Sequence, residues 1–220
     1  MREGLLSVSD AVDFCRLLLV AGNETITNLL GNGMPSLELS RAARPAGPRA
    51  CADSNAVEEM LRYDSAVQAL FRKTTQEVEV AGVRITAGAS VLLLFGSANR
   101  DPHKFQEPAR FDVTRNVAGQ VAFGHGIHFC LGAPLARLEA KVVLEELLTS
   151  ERWLSLVPGQ PWRNLDHFIL RGLTSLRVRV EPAAGVRERV MAWAEAEVAR
   201  SGELVRQVVR RVRCAGPSDP

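Results

Sequence analysis

The longest regular hydrophobic pattern lies over residues 7 to 33, where apolar side chains recur three to four positions apart. Such spacing places them on one face of an α-helix, and they are Val12, Cys15, Leu18, Leu19, Ile26, Leu29 and Leu30. Ser7 and Asp10 stand at the start of this pattern with the spacing of a capping box. Gly31 and Gly33 predict its end. We therefore expect one long helix over residues 7 to 33.

Further elements follow along the chain. Residues 56 to 64 and 133 to 149 carry helical patterns, and residues 181 to 213 predict another helix with an arginine-rich end. Apolar and polar residues alternate between residues 68 and 95, which predicts short strands. The strand patterns there cover 77–80, 83–85 and 91–95. The pattern over 153–180 predicts further short strands and turns. Residues 34 to 56 are rich in proline and arginine and predict a loop. The fold class is mainly α with a small β component.

Composition narrows the class of protein. A chain of 220 residues predicts one domain, with room for an appendage. The formal net charge of +2 gives no argument for nucleic-acid binding. Four scattered cysteines show no disulfide framework, which suits a reducing cytoplasm. The most apolar stretch, residues 14 to 30, contains Arg16, Asn23 and Glu24, so we expect a buried helix there and no membrane span.

The strongest candidate for chemistry is Cys130, in a glycine-punctuated loop that leads into the helix at Pro134. The helix dipole and free N–H groups there favour a thiolate, and glycines let the backbone approach a ligand closely. A lone cysteine is more often a small buried side chain. Zinc binding through His125, His128 and Cys130 is a second alternative, set aside because no further cysteine pair or HExxH motif is present.

The run from Phe123 to Arg137 resembles the haem-binding signature of the cytochrome P-450 family; the matching residues are Phe123, Gly124, Gly126, His128, Cys130, Gly132, Leu135, Ala136 and Arg137. The resemblance implies haem b (heme b) with Cys130 as the proximal ligand of its iron. It further implies that Phe123, Gly124 and Gly132 shape the cofactor loop. His128 and the strand residue Arg72 would face the haem propionates.

A second resemblance lies in the first helix, in Ala21-Gly22-Asn23-Glu24-Thr25. In the family this is the distal oxygen-binding groove, which implies that Thr25 holds dioxygen and that Glu24 is the acidic partner in proton delivery. From the residues alone, a threonine bonded to its own helix backbone and a solvated glutamate remain the alternative.

Glu59 and Arg62 stand three residues apart on the short helix, which makes them neighbours on one face. Most such pairs are solvated. The resemblance to the family's ExxR motif implies a buried pair, completed by an arginine from a later loop. Glu107-Pro108-Ala109-Arg110-Phe111 resembles that loop, so Arg110 is expected as the third member of this structural network.

The resemblance runs from about residue 7 to residue 180 and corresponds to the C-terminal portion of a family member. We expect residues 1–180 to form that portion, with 34–56 atypical, and 181–220 to be an extra helical tail. Helices of the family beyond this portion would cover the first helix and that of 133–149, so apolar faces of both should be exposed. The remaining substrate-pocket candidates are Val20, Ala66, Val67, Ala69, Ile169 and Leu170.

The function that the resemblance implies is a cytoplasmic haem-thiolate monooxygenase of the soluble bacterial type. It would oxygenate a small organic substrate with dioxygen, taking electrons from a ferredoxin or a flavoprotein, without nucleic-acid or membrane partners. The alternative is a truncated, non-catalytic remnant that binds haem poorly or acts only as an interaction fragment, for example through the arginine-rich tail.

Overall fold

The computed structural model describes residues 7–39, 54–149, 152–162 and 164–182. Four α-helices are present in this part of the chain, namely α1 (Val8–Leu39), α2 (Ser54–Tyr63), the single turn α3 (Phe95–Ala98) and α4 (Ala133–Thr149). Six short strands accompany them: β1 (Ala69–Lys73), β2 (Val78–Val80), β3 (Val83–Ile85), β4 (Ser90–Leu94), β5 (Arg152–Leu156) and β6 (Val178–Pro182). The predicted fold class, mainly α with a small β component, is confirmed.

The capping box predicted for α1 is present. The amide of Ser7 donates to Oδ2 of Asp10 at 2.9 Å, and the amide of Asp10 donates to Oγ of Ser7 at 3.1 Å. The two groups thereby satisfy N–H donors that would otherwise be orphaned at a helix start. The hydroxyl of Ser7 also donates to Asp10 and is the main cause of the lowered pKa of that carboxyl.

The predicted end of α1 at Gly31 and Gly33 is wrong, since the helix continues through Pro35 to Leu39. A Cβ at Gly33 would lie 2.0 Å from Cε of Met60, so this glycine marks a close contact between α1 and α2. Leu37 is only 8% exposed, and its burial favours helix beyond the glycines. The loop predicted over 34–56 is therefore wrong at both of its described ends, which are helical. Residues 40–53 of that segment, and most of the tail helix predicted over 181–213, lie outside the described ranges.

Three antiparallel pairs account for the strands: β1 with β4, β2 with β3, and β5 with β6. Ala81 and Gly82 connect β2 to β3, both with positive φ (49° and 77°), as a two-residue hairpin turn requires. Arg72 lies on β1 opposite Val91. The predicted strand at 91–95 is correct except at Phe95, which begins α3.

One hydrophobic core joins the C-terminal half of α1 to α2 and α4. Its buried members include Leu29 of α1, Met60 of α2 and Leu144 of α4, each no more than 3% exposed. Ile26 and Phe123 are partly buried and pack against the same cluster. This core therefore fixes the helix that contains Thr25 relative to the loop that contains Cys130.

Apolar side chains are exposed on α1 and α4, as expected from the portion of the family that the chain resembles. The buried helix expected over residues 14 to 30 is therefore wrong for residues 14 to 24, which are exposed. Those on α1 are Val8, Val12, Phe14, Leu17, Leu18, Leu19 and Val20, and those on α4 are Leu135, Leu138 and Val142. Patches of this kind mark surfaces that bind another element or a ligand. None of the helices described is both long enough and apolar enough to cross a membrane.

Candidate functional site

The loop before α4 is folded by its own backbone. The amide of Cys130 donates to the carbonyl oxygen of Phe123 at 2.9 Å, and a 3₁₀ turn at Gly126–His128 lies between them. Gly124 and Gly126 have φ of +74° and +69°, which side chains with a Cβ rarely adopt. The folded loop brings Cys130, a free and exposed thiol, to the start of α4.

The surroundings of this thiol are apolar and open. Ile127, Phe129 and Leu131 are 97%, 50% and 81% exposed, which is unusual for three large apolar residues in one short loop. A Cβ at Gly132 would lie 3.9 Å from Sγ of Cys130, so the glycine leaves the flank of the sulfur clear. A flat apolar ligand placed over the sulfur would remove these side chains from water.

The donor set fits haem. Among the described residues, no three His, Cys, Asp or Glu side chains are grouped so that they could hold a metal ion. Cys130 is a free thiol that would contribute one sulfur, and haem iron fits such a single protein ligand because the macrocycle supplies nitrogen ligands of its own. The exposed apolar side chains of the loop, Ile127, Phe129 and Leu131, also fit haem, because a flat apolar macrocycle over the loop would remove them from water.

The groove predicted on α1 is open on the side of Gly22, where an added Cβ would meet no atom within 4 Å. The hydroxyl of Thr25 donates to the carbonyl oxygen of Ala21 at 2.7 Å, and Glu24 is exposed. Glu24 also lines a shallow depression on α1 with Leu19, Val20, Asn23 and Thr27, but Thr25 does not. The structure thus shows Thr25 in its backbone-bonded state, on another part of the helix surface from that depression.

Glu59 and Arg62 are completely buried and form a two-point ion pair. Nε of Arg62 lies 2.7 Å from Oε2 of Glu59, and Nη2 lies 2.8 Å from Oε1. The remaining guanidinium donors reach the carbonyl oxygens of Asn99, Pro108 and Arg110 at 2.9, 3.0 and 3.2 Å. A buried pair of this kind is tolerable because every charged donor has a partner.

The side chain of Arg110 does not complete this network, which corrects the expectation from the sequence. Its side chain is 57% exposed, its Nη1 pairs with Glu107 at 3.3 Å, and only its backbone carbonyl faces Arg62. Arg115 takes the predicted place: its Nε lies 3.4 Å from Oε1 of Glu59, and its side chain is 10% exposed. The amide of Asp112 donates to the same oxygen at 2.9 Å.

Arg72 and His128 lie outside the core. His128 is exposed in the 3₁₀ turn, and Arg72 is half-buried on β1, where its Nη1 donates to the carbonyl oxygen of Phe71 at 2.9 Å. Among the predicted pocket residues, Val67 and Leu170 form a β-bridge, so the segments 66–69 and 169–170 meet. The amide of Gln68 donates to Ile169 at 2.7 Å across this contact.

Asp64 and Arg171 pair next to this contact. Their side chains are 20% and 44% exposed, and the amide of Arg171 donates to Ala66 at 2.8 Å. Burial raises the pKa of Asp64, and the charge of Arg171 opposes that rise. The pair holds segment 164–173 against the end of α2.

Two groups of functional side chains are not evident from the sequence. Asn99 is fully buried, donates to Oγ of Ser65 at 2.9 Å and accepts from the amide of Val121 at 2.8 Å, so it ties the approach to the cysteine loop to α2. Glu58 pairs with Arg137, which joins α2 to α4. Near Asn99 the sequence shows only the turn dipeptide Asp101-Pro102, which predicts a loop and gives no sign of these hydrogen bonds.

Comparison with known proteins identifies the family that this chain resembles. The family model described as Cytochrome P-450 matches residues 54–177. The chain is 43% identical over 180 residues to the cytochrome P-450 monooxygenase PikC of Streptomyces venezuelae, covering 79% of this chain and 42% of that protein. It is 44% identical over 178 residues to the vitamin D(3) 25-hydroxylase of Pseudonocardia autotrophica, covering 78% of this chain and 42% of that protein.

Solved structures agree with the sequence comparison. CYP109E1 of Bacillus megaterium in complex with testosterone superposes with a TM-score of 0.74 at 39% identity, over 81% of this chain and 50% of that chain. CYP109Q5 of Chondromyces apiculatus gives a TM-score of 0.74 at 40% identity, over 83% of this chain and 47% of that chain. The chain thus spans less than half the length of the curated relatives named above.

Proposed function

The chain belongs to the cytochrome P-450 family, and we propose from this premise that it binds haem b through Cys130 and oxygenates a small organic substrate. The observation that carries the proposal is the free thiol of Cys130, held at the start of α4 among exposed apolar side chains. Haem with a thiolate ligand activates dioxygen, because the thiolate pushes electron density to the iron and favours cleavage of the O–O bond. A ferredoxin or flavoprotein would supply the electrons.

The cysteine loop would hold the cofactor in three ways. The sulfur of Cys130 binds the iron. Phe123 fixes the backbone of the loop through its carbonyl, and Gly124 and Gly132 provide the turn and the clear flank of the sulfur. His128 and Arg72 would pair with the two propionates, since both present cationic or N–H donor groups outside the core.

Thr25 and Glu24 would handle the protons that the reaction consumes. The hydroxyl of Thr25 donates to the carbonyl oxygen of Ala21 at 2.7 Å, and rotation about χ1 would free its proton for donation to a ligand or water beside the helix. Glu24 is exposed to water on the neighbouring part of the helix surface, so water between the two side chains would have to relay a proton from its carboxyl to Oγ1 of Thr25.

A second candidate function is an interaction fragment that binds haem poorly. The observation that favours it is the exposure of apolar faces on α1 and α4, including Leu19 at 74% and Leu135 at 58%. A pocket whose walls are open to water on both helices would hold an apolar cofactor and substrate weakly.

Spectroscopy of the reduced carbon monoxide complex separates the two candidates. The chain, supplied with haem, should give the red-shifted Soret band of thiolate ligation, and Cys130→Ala should remove that band while Cys15→Ser, at another free cysteine, retains it. Circular dichroism of each variant shows whether it is folded. A wild-type chain that is folded but gives no red-shifted band supports the interaction fragment and overturns haem-thiolate binding.

Oxygenation requires its own assay. Turnover would be measured with a ferredoxin and its reductase on a panel of apolar substrates. The panel starts with vitamin D(3), since one relative is a vitamin D(3) 25-hydroxylase, and with testosterone, which is bound in the solved complex of CYP109E1. Thr25→Ala should still consume reducing equivalents but release them as hydrogen peroxide, because proton delivery is lost. Unchanged coupling in Thr25→Ala would exclude the role proposed for its hydroxyl.

A further inference from the structure

We propose that Glu58 and Arg137 are positioning residues that hold the Cys130 loop in the conformation required for thiolate ligation. The proposal rests on the function proposed above, because it concerns the same cysteine. It assigns a role to the helix-to-helix ion pair that is separate from the buried network of Glu59 and Arg62.

The pair bridges α2 and α4 directly. Both Nε and Nη2 of Arg137 donate to the carboxylate of Glu58, the second at 3.2 Å, and Nε2 of Gln120 donates to Oε2 of Glu58 at 3.0 Å. The side chains of Glu58 and Arg137 are 22% and 37% exposed, so water screens them only in part. Three donors from two segments therefore converge on one carboxylate.

Two routes lead from this carboxylate to Cys130. In the first, the guanidinium of Arg137 lies over the ring of Phe123, 4.6 Å from its centroid, and the carbonyl of Phe123 accepts the amide of Cys130 at 2.9 Å. In the second, Oε1 of Gln120 accepts the amide of Ala122 at 2.7 Å, next to Phe123. The first route ends at Phe123, whose carbonyl holds Cys130, and the second ends at its chain neighbour Ala122.

Adjacent glutamates on α2 thus have different tasks. Consecutive helical residues point about 100° apart, so Glu59 faces the buried network while Glu58 faces α4. By contrast, the ion pair of Lys141 and Glu145 joins two residues one turn apart within α4, with an N–O distance of 3.7 Å. That pair provides a matched control on the same helix.

The most direct readout is hydrogen exchange of the Cys130 amide in the haem-free chain, since this amide reports the bond to Phe123. Selective labelling of cysteine nitrogen gives few signals, because the chain has four cysteines, and Cys130→Ser identifies the one required. An ion pair with this exposure changes a local opening equilibrium by up to about fivefold. Exchange in Glu58→Gln and Arg137→Gln should accelerate within that range, and Lys141→Gln should exchange at the wild-type rate.

The conservative and compensating variants separate positioning from general stability. Arg137→Lys keeps the charge but loses the planar group over Phe123, so it should give an intermediate exchange rate. Glu58→Arg combined with Arg137→Glu restores the opposite charges and should recover part of the protection. In the haem-bound chain, the fraction of the carbon monoxide complex with the red-shifted band should fall in the same order.

The proposal is overturned if Glu58→Gln and Arg137→Gln are folded by circular dichroism yet exchange the Cys130 amide at the wild-type rate. It is also overturned if Lys141→Gln accelerates exchange equally, because the effect would then be general to α4. A wild-type chain without the red-shifted band would refute the proposed function, while the exchange experiment on the haem-free chain would still decide the role of the pair.

Discussion

The identity of the arginine that completes the buried network can be tested by truncating two candidates, Arg115→Ala and Arg110→Ala. They are five residues apart in one loop, carry the same charge and would be changed to the same side chain. In the structure only Arg115 reaches the carboxylate of Glu59, at 3.4 Å, whereas the guanidinium of Arg110 pairs with Glu107 on the surface. The pair of variants is therefore matched in everything except burial and partners.

The expected magnitudes follow from these partners. Besides Glu59, Arg115 donates to the carbonyl oxygens of Gln106, of Glu107 at 3.0 Å and of Arg110 at 3.1 Å, with 10% of its side chain exposed. Removing one partner of a buried pair costs about 3–5 kcal/mol. Because Glu59 keeps Arg62, we expect about 2–4 kcal/mol of lost unfolding free energy for Arg115→Ala, and at most about 0.5 kcal/mol for Arg110→Ala.

Urea unfolding of the haem-free chain, followed by circular dichroism at 25 °C, measures both losses. Arg115→Lys serves as a further control, since it keeps the charge but cannot reach four acceptors, and it should fall between wild type and Arg115→Ala. Equal losses for Arg115→Ala and Arg110→Ala, or a larger loss for Arg110→Ala, would show that this assignment of the network is wrong.

Two more predictions concern the glycines of α1 and one acidic group. Gly22→Ala should raise the unfolding free energy by up to about 1 kcal/mol in urea titrations, because open space surrounds that position. Gly33→Ala should lower the unfolding free energy, because its Cβ would overlap Met60. A higher unfolding free energy in both variants would contradict the close packing of Gly33 against Met60. Burial raises the pKa of Asp64, so the stability that this group contributes is present below its unfolded pKa and is lost as pH rises through the folded value. The unfolding free energy of Asp64→Asn relative to wild type should therefore increase from pH 4 to pH 7, and a difference that is constant with pH would refute this.

The sequence predicts the helices and strands well where local pattern and packing agree, as in α4, whose predicted bounds are those observed. It fails at the end of α1, because glycines that normally stop helices serve there as a close contact, and proline remains buried inside the helix. The free energy that one residue of low helix propensity costs is small compared with the free energy gained by burying Leu37. Such a contact between distant segments leaves no mark in local composition.

In the candidate site, too, the sequence predicts local motifs but does not predict contacts between distant segments. The loop of Cys130 can be recognised in the sequence, because its backbone geometry requires glycines at fixed positions relative to the cysteine. Arg110 and Arg115 are indistinguishable by residue type, and which one turns inward depends on the path of the loop around Glu59. The pairing of Glu58 with Arg137 joins residues 79 positions apart, so only the packing of α2 against α4 reveals it.

All five N–H donors of Arg62 are used, and three of them end on backbone carbonyls, those of Asn99, Pro108 and Arg110. A carbonyl belongs to every residue type, so the network constrains the path of the chain at 108 and 110 but not the side chains there. Substitutions at these two positions that keep the path of the chain would therefore leave the buried charge satisfied. The one side chain without an equivalent substitute is Arg62 itself, because no other residue presents five donors in one plane.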